Sequence, residues 1–309
     1  MKTAVLTTKG FAIEETDMPI IGDDEVLLRT LACGVCTGDL FVYKNREVLA
    51  ANPLRLGHEG SGVVAQTGRA VTGFQVGEVV TSLGGRAYAD YFVAKASQLV
   101  KLPPEVDPLY ALGEAVACCV HAANRFGTRH GDRVAVLGCG FMGLICLQLV
   151  KQQGAGFLCA FDPIAERREM ARRLGADVVY DPNEVDAKTL GNFEVVIEAA
   201  GVQGVVDLGT ELVGQHGRFI LVGYHQSDNG RRTVNMQQWN FKAIDVINGH
   251  VRRMDEKAEA MRQGMELMQQ GVLDTKPLVT VYDFADIEQA FQALAGGEEG
   301  LYKVVLRVG

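Results

Sequence analysis

The chain has 309 residues, about twice the usual size of one domain, and 48% of them are hydrophobic and 22% charged. This composition excludes a disordered or collagen-like chain, and the formal net charge of −8 argues against a nucleic-acid-binding face. No apolar run reaches the roughly 20 residues of a membrane span. An odd count of seven cysteines disfavours a disulfide scaffold, so we expect a cytoplasmic protein. The chain length predicts two domains.

Residues 1–118 are rich in short alternating or β-branched runs that are separated by glycine, such as EVLLRTLACG and SGVVAQTG. Alternation with a period of two indicates strands that are buried on one face. This zone is therefore predicted to be mostly β, as a barrel or a sandwich.

From about residue 119 to residue 250, apolar strands alternate with helical stretches. That rhythm predicts βαβ units and a doubly wound parallel sheet. The remaining residues do not continue it: two amphipathic helices surround one strand, and the chain closes with the strand-like YKVVLRV. The closing strand either returns to the N-terminal body or stays apart from it, and the pattern alone leaves both arrangements open.

A GxGxxG turn occupies residues 138–143, between a predicted strand at 133–137 and an apolar helix. In this setting Gly138 makes the tight turn, Gly140 lets the backbone approach a pyrophosphate, and Gly143 lets the helix pack closely on the strand. The backbone N–H groups of the helix start, at Phe141 and Met142, then face the phosphates. The alternative is a glycine turn that only packs helix on strand.

A second predicted strand, residues 157–161, ends in Asp162. A carboxylate at this point accepts hydrogen bonds from both ribose hydroxyls and repels a 2′-phosphate, so NAD is favoured over NADP. Arg167 lies nearby in the sequence and is a candidate partner for a phosphate, but we expect Asp162 to dominate.

Three short motifs in the β-rich zone carry residues of the types that bind zinc. They contribute Cys36, His58 and Glu114. Three protein ligands with an open fourth position are typical of a catalytic zinc site. The residue types alone do not decide this, because a lone cysteine is often a small core residue and a lone histidine is often a hydrogen-bonded polar group.

The Cys33-x-x-Cys36 pair has two other interpretations, a redox pair and half of a four-cysteine zinc site. No second C-x-x-C motif occurs in the sequence, and the adjacent Cys118 and Cys119 have poor geometry for the other half of such a site. Both interpretations are therefore disfavoured.

Taken together, these motifs resemble those of the zinc-dependent medium-chain dehydrogenase/reductase family, closest to its polyol and threonine dehydrogenase branch. GVCTGD, GHEGSGVV, the stretch from Glu114 to His121, the glycine turn and the closing GLYKVVLRV occur in the family's order. The resemblance covers nearly the whole chain. It implies an α/β protein in which a GroES-like β-rich catalytic domain, residues 1–118 and 251–309, is interrupted by a Rossmann NAD-binding domain, residues 119–250.

Carried over by position, the resemblance implies that Cys36, His58 and Glu114 bind one catalytic zinc ion. Glu59 matches the acid behind the metal that approaches it during ligand exchange, and Asp39 matches the carboxylate that holds the ligating imidazole.

The resemblance also implies cofactor contacts. The backbone of Val222, Gly223 and Tyr224 matches the segment that lines the nicotinamide carboxamide. Lys303 falls where a basic residue meets the pyrophosphate, and a solvated lysine at a strand end is the alternative interpretation.

Two features depart from the family pattern. Only residues 81–87 stand where the family inserts a lobe with four cysteines and a structural zinc, so that second zinc is not expected. The Ser or Thr that relays the alcohol proton is replaced by Gly38, which leaves Thr37, water or the substrate to carry the proton.

The function implied by the resemblance is hydride transfer between NAD and an alcohol, with a secondary alcohol in a polar compound favoured. The alternatives are a zinc-free quinone or enone reductase of the same superfamily and a catalytically inactive NAD-binding sensor. The expected partners are a small-molecule alcohol or ketone and further copies of the chain, in a homodimer or homotetramer.

Overall fold

The structure is a computed structural model that describes residues 1–50 and 52–309. The chain divides into two compact units, one formed by Met1–Ala117 with Arg253–Gly309 and the other by Cys118–Arg252. The domain limits given above, after residues 118 and 250, stay a prediction. Within the described ranges, no helix is both long enough and apolar enough to cross a bilayer.

The elements are numbered in chain order. The strands are β1 (Lys2–Thr7), β2 (Gly10–Glu15), β3 (Glu25–Gly34), β4 (Glu59–Thr67), β5 (Val79–Ser82), β6 (Tyr91–Lys95), β7 (Leu99–Lys101), β8 (Arg133–Leu137), β9 (Phe157–Phe161), β10 (Val178–Tyr180), β11 (Phe193–Glu198), β12 (Val213–Leu221), β13 (Asp245–Asn248), β14 (Val279–Asp283) and β15 (Lys303–Arg307). The α-helices are α1 (Thr37–Lys44), α2 (Arg46–Leu49), α3 (Pro108–Ala111), α4 (Gly113–Ala123), α5 (Phe141–Gln152), α6 (Ala165–Arg173), α7 (Gln203–Leu212), α8 (Met236–Lys242), α9 (Met254–Gln269) and α10 (Ile287–Gly296).

The first unit is built on a sheet in the order β14-β15-β3-β4-β5-β7, with β6 also paired to β3. β15 runs antiparallel to β3, with Leu306 opposite Cys33. The closing strand of the chain therefore returns to the N-terminal body, which decides between the two arrangements that the sequence left open. Buried aromatic side chains, including Tyr88, Phe92 and Phe291, fill the core of this unit.

The second unit contains a parallel sheet in the order β10-β9-β8-β11-β12-β13. Numbered within the unit, this is the order 3-2-1-4-5-6 of a dinucleotide-binding fold, and the order reverses between β8 and β11. The strands are nearly continuously apolar, as in VAVL of β8 and VVI of β11, because helices cover both faces of such a sheet. The predicted doubly wound parallel sheet is confirmed.

Candidate metal centre and nucleotide-binding loop

Cys36 is placed by the junction of β3 and α1. It is the N-cap residue of α1, with extended backbone dihedrals, and its Sγ accepts a hydrogen bond from the backbone N–H of Gly38 at 3.4 Å. The sulfur thus lies at the positive end of the helix dipole, where a thiolate is stabilised. Thr37, the first residue of α1, is exposed.

His58, just before β4, faces the buried carboxylate of Asp39 on α1. The Nδ1 atom of His58 lies 3.6 Å from Oδ1 of Asp39, whose Oδ2 accepts a 2.8 Å hydrogen bond from the hydroxyl of Tyr88. Asp39 and then the Cys36 side chain raise the pKa of His58 to about 11. Asp39 therefore lies beside the imidazole, and its role in holding the ring for a metal stays a prediction.

Glu59 and Lys303 form a buried ion pair at the first residues of β4 and β15. Nζ of Lys303 donates to Oε1 of Glu59 at 2.8 Å and lies 2.6 Å from Oε2. Both carboxylate oxygens therefore face the ammonium, and the buried Oε2 has no further hydrogen-bond partner among the described residues. Burial raises the pKa of Glu59 against the lowering effect of Lys303. Burial lowers the pKa of Lys303, but the combined attraction of Glu59, Cys36 and Glu114 outweighs it and raises the pKa.

The structure brings Cys36, His58 and Glu59 together: one ligand atom from each lies within 4.8 Å of the other two. A thiolate, an imidazole and a carboxylate are the donors that zinc takes in proteins. The residues present therefore fit a zinc ion.

Glu114, on the first turn of α4, is not one of these three. Its carboxylate forms an ion pair with Lys257 of α9, and both side chains are mostly buried. Burial raises the pKa of Glu114, but the charge and hydrogen bond of Lys257, followed by the charge of His58, outweigh it and lower the pKa. Glu59 thus lies in the cluster with Cys36 and His58, whereas the carboxylate of Glu114 pairs with Lys257. The predicted role of Glu114 as a zinc ligand stays a prediction.

Lys303 is buried and its ammonium contacts Glu59, so it is not the solvated lysine of the alternative interpretation. Its contact with the cofactor pyrophosphate stays a prediction. Neither the Lys303–Glu59 pair nor the Lys257–Glu114 pair is visible in the sequence, because their members are 244 and 143 residues apart.

The three glycines of the turn in the second unit have different surroundings. Gly138 has a φ of +99°, which favours glycine, and a Cβ on Gly143 would overlap the carbonyl oxygen of Gly138. A Cβ on Gly140 would meet no atom within 4 Å, so this residue borders open space. α5 begins at Phe141, followed by Met142, and no side chain caps its N-terminus.

Asp162 follows β9 directly, and its buried carboxylate is engaged by backbone. Oδ2 accepts from the N–H of Cys139 in the glycine turn at 2.8 Å, and Oδ1 accepts from the N–H of Ile164 at 2.9 Å. Arg167 is close enough to lower the pKa of Cys139 against the larger effect of burial. Arg168, which the sequence analysis did not select, donates to the carbonyl of Asp162 and pairs with Asp181 at 3.0 Å.

The Val222-Gly223-Tyr224 segment follows β12. The N–H groups of Val222 and Gly223 donate to the carbonyl of Glu198, and Tyr224 is 63% exposed. The buried carboxylate of Glu198 accepts from the N–H of Gly201 and contacts Nε2 of His225 at 3.1 Å. Sequence reasoning missed Glu198, although an acidic residue at the end of an apolar strand was the available signal.

Comparisons with known proteins agree with this architecture. A family model described as "Alcohol dehydrogenase GroES-like domain" matches residues 22–104, and one described as "Zinc-binding dehydrogenase" matches residues 142–270, so that together they match more than half of the chain. A sorbitol dehydrogenase of Halalkalibacterium halodurans is 28% identical, over 96% of this chain and 97% of that protein. An L-threonine 3-dehydrogenase of Pyrococcus horikoshii is also 28% identical, over 98% of each chain.

Among solved structures, the alcohol dehydrogenase TADH from Thermus sp. ATN1 superposes with a TM-score of 0.89, at 22% identity over 100% of both chains. The predicted fold class, a GroES-like β-rich domain with a Rossmann domain, is confirmed. The chain belongs to the zinc-type medium-chain dehydrogenase/reductase family.

Proposed function

We propose that the protein is a zinc-dependent, NAD(P)-linked dehydrogenase that oxidises a secondary alcohol in a polar compound. The observation that carries this proposal is the cluster of Cys36, His58 and Glu59, in a chain that also has a GxGxxG turn opening a helix. The relatives named sorbitol dehydrogenase and L-threonine 3-dehydrogenase support a polyol or a hydroxy-amino acid as the substrate class.

Each residue of the centre has a separate task in this proposal. Cys36 and His58 hold the metal, a carboxylate completes the protein ligands, and Asp39 fixes the imidazole ring. A bound zinc ion supplies Lewis-acid polarisation of a hydroxyl group. Lys303 balances the buried charge of Glu59, and Thr37 is the side chain proposed to carry the alcohol proton.

The nucleotide is proposed to bind at the glycine turn, where Gly140 leaves room and the N–H groups at the start of α5 face a pyrophosphate. Asp162, Arg167 and the Val222–Tyr224 segment are the remaining proposed contacts. NAD is proposed as the preferred cofactor because of Asp162. A zinc-binding dehydrogenase of Sinorhizobium meliloti, 22% identical, was solved bound to NADP, so both nucleotides belong in the test.

The test is to measure bound metal and to follow the reduction of NAD and NADP with sorbitol, other polyols, L-threonine and simple alcohols. We expect about one zinc ion per chain, turnover with polar secondary alcohols, loss of activity on chelation and recovery with zinc. Quinone reduction by a zinc-free protein would support the zinc-free reductase instead. Nucleotide binding without turnover of any alcohol would support the sensor.

The proposal includes a homodimer or homotetramer in the cytoplasm. The edge strand β13 of the second unit is the element proposed to pair between copies.

A further inference from the structure

Two carboxylates lie at the metal cluster, and each has its own lysine. Glu59 pairs with Lys303 between β4 and β15, and Glu114 pairs with Lys257 between α4 and α9. The exposed fractions of these side chains are 1% for Glu59, 8% for Lys303, 13% for Glu114 and 17% for Lys257. Ion pairs as buried as these are expensive to break, because each separated partner becomes an uncompensated charge.

The two pairs differ in what they leave available to a metal ion. Glu59 already has a ligand atom within 4.8 Å of those of Cys36 and His58, and it keeps this position while Oε1 accepts from Lys303. Its second oxygen, Oε2, lies 2.6 Å from the same ammonium and has no other hydrogen-bond partner in the described part of the chain. Glu114 lies outside that group and would have to separate from Lys257 to join it.

We propose that Lys257 is a positioning residue that keeps Glu114 away from the metal and thereby makes Glu59 the carboxylate ligand. The proposal rests on the metal site of the proposed function but not on any substrate. Glu114 offers the same type of ligand atom as Glu59, and its ion pair with Lys257 holds it outside the cluster. Removal of the ammonium would release Glu114 to compete for the ion.

The test is zinc affinity, measured by competition with a chelator, in the whole chain carrying Glu59→Gln, Glu114→Gln or Lys257→Met. Glu59→Gln is expected to weaken zinc binding by about tenfold or more, the effect of a lost metal-site contact, whereas Glu114→Gln changes it by less than about twofold. Adding Lys257→Met to Glu59→Gln is expected to restore about tenfold, because the released Glu114 takes the vacant position.

Cobalt reports the ligand set independently of affinity. In metal-free protein reloaded with Co²⁺, Lys257→Met is expected to change the visible absorption of the ion, and Lys257→Met combined with Glu114→Gln is expected to return it to the native spectrum. The double variant separates a new ligand from a general rise in negative charge, since only the ligand needs Glu114. Lys101→Met is the matched control, because Lys101 pairs with Glu78 at 2.6 Å in the same unit, away from the cluster.

Three results would overturn the proposal: Glu114→Gln weakens zinc binding as much as Glu59→Gln, Lys257→Met fails to rescue Glu59→Gln, or the rescue persists without Glu114. Circular dichroism checks folding, and Lys257→Gln replaces the methionine variant if that one does not fold. Because all readouts concern metal binding, an enzyme that turns over no alcohol would contradict the proposed function and leave this test intact.

Discussion

At the scale of single residues, Gly34 fixes the position of Glu59. Gly34 is the last residue of β3, and a Cβ there would overlap the carboxylate of Glu59 and lie 2.6 Å from the Cδ2 atom of Leu112. It would also come within 3.2 Å of Cε of Lys303. The missing side chain therefore makes room for the buried ion pair beside the metal cluster.

We expect Gly34→Ala to displace Glu59 from Lys303 and to destabilise the protein by about 3 kcal/mol, the cost of separating a buried ion pair. Zinc affinity is expected to fall with it, by about tenfold. Urea unfolding and chelator competition measure the two effects. Gly296→Ala is the control, because a Cβ at that position of α10 meets no atom within 4 Å. A native zinc affinity in Gly34→Ala would contradict the role given to Gly34.

The residues of the metal centre were predictable from sequence to different degrees. Cys36 and His58 stand in short motifs whose residue types indicate a metal, and the structure brings them together. That Glu59 lies in the cluster and Glu114 outside it was not predictable, because each carboxylate is placed beside a different lysine. Those lysines come from segments that are distant in the sequence, and no local pattern records an ion pair of this kind.

At the scale of elements, the glycines of the turn between β8 and α5 have two different roles, one in packing and one proposed in ligand binding. Gly143 lets α5 approach the turn, since its Cβ would overlap the carbonyl of Gly138, whereas Gly140 has ordinary extended dihedrals and borders open space. Packing therefore requires glycine at residue 143. Neither packing nor backbone conformation requires it at residue 140, so the proposed explanation there is the close approach of a ligand.

Gly140→Ala and Gly143→Ala are expected to have opposite effects. The first should leave the free energy of unfolding within about 0.5 kcal/mol of native and weaken NAD binding by about tenfold, because the methyl group enters the space proposed for the pyrophosphate. The second should destabilise the second unit by about 1–3 kcal/mol through overpacking. Fluorescence titration with NAD and thermal unfolding separate the two. Unchanged NAD binding in Gly140→Ala would place the nucleotide elsewhere.

At the scale of the whole molecule, the architecture was largely predictable, because the hydrophobic pattern of the β-rich zone differs from that of the zone in which strands alternate with helices. Alternating strands and βαβ repeats each have a recognisable pattern, so both zones could be assigned. The return of β15 to β3 could not be derived from periodicity, because strand pairing across more than 250 residues depends on tertiary contacts; it entered only through the family resemblance. The contacts of Asp162 with the backbone were equally invisible.

The proposed assembly of copies involves β13, which ends the order of the second sheet and pairs with β12 only, among the residues described. Its other edge offers backbone groups to another strand, and Val246 on it is 41% exposed, with Phe241 of α8 75% exposed. An edge strand with apolar residues favours pairing with a second copy across a twofold axis.

We therefore expect the native protein to elute as a dimer or tetramer in size-exclusion chromatography with light scattering. Val246→Lys should shift it towards the monomer, because a charge on an apolar edge opposes strand pairing. Val202→Lys is the matched control: Val202 is 46% exposed in the same unit, at the N-cap of α7. Native mass in Val246→Lys, or a monomer in both variants, would exclude β13 as the specific contact. A native protein that is already monomeric at high concentration would contradict the oligomer itself.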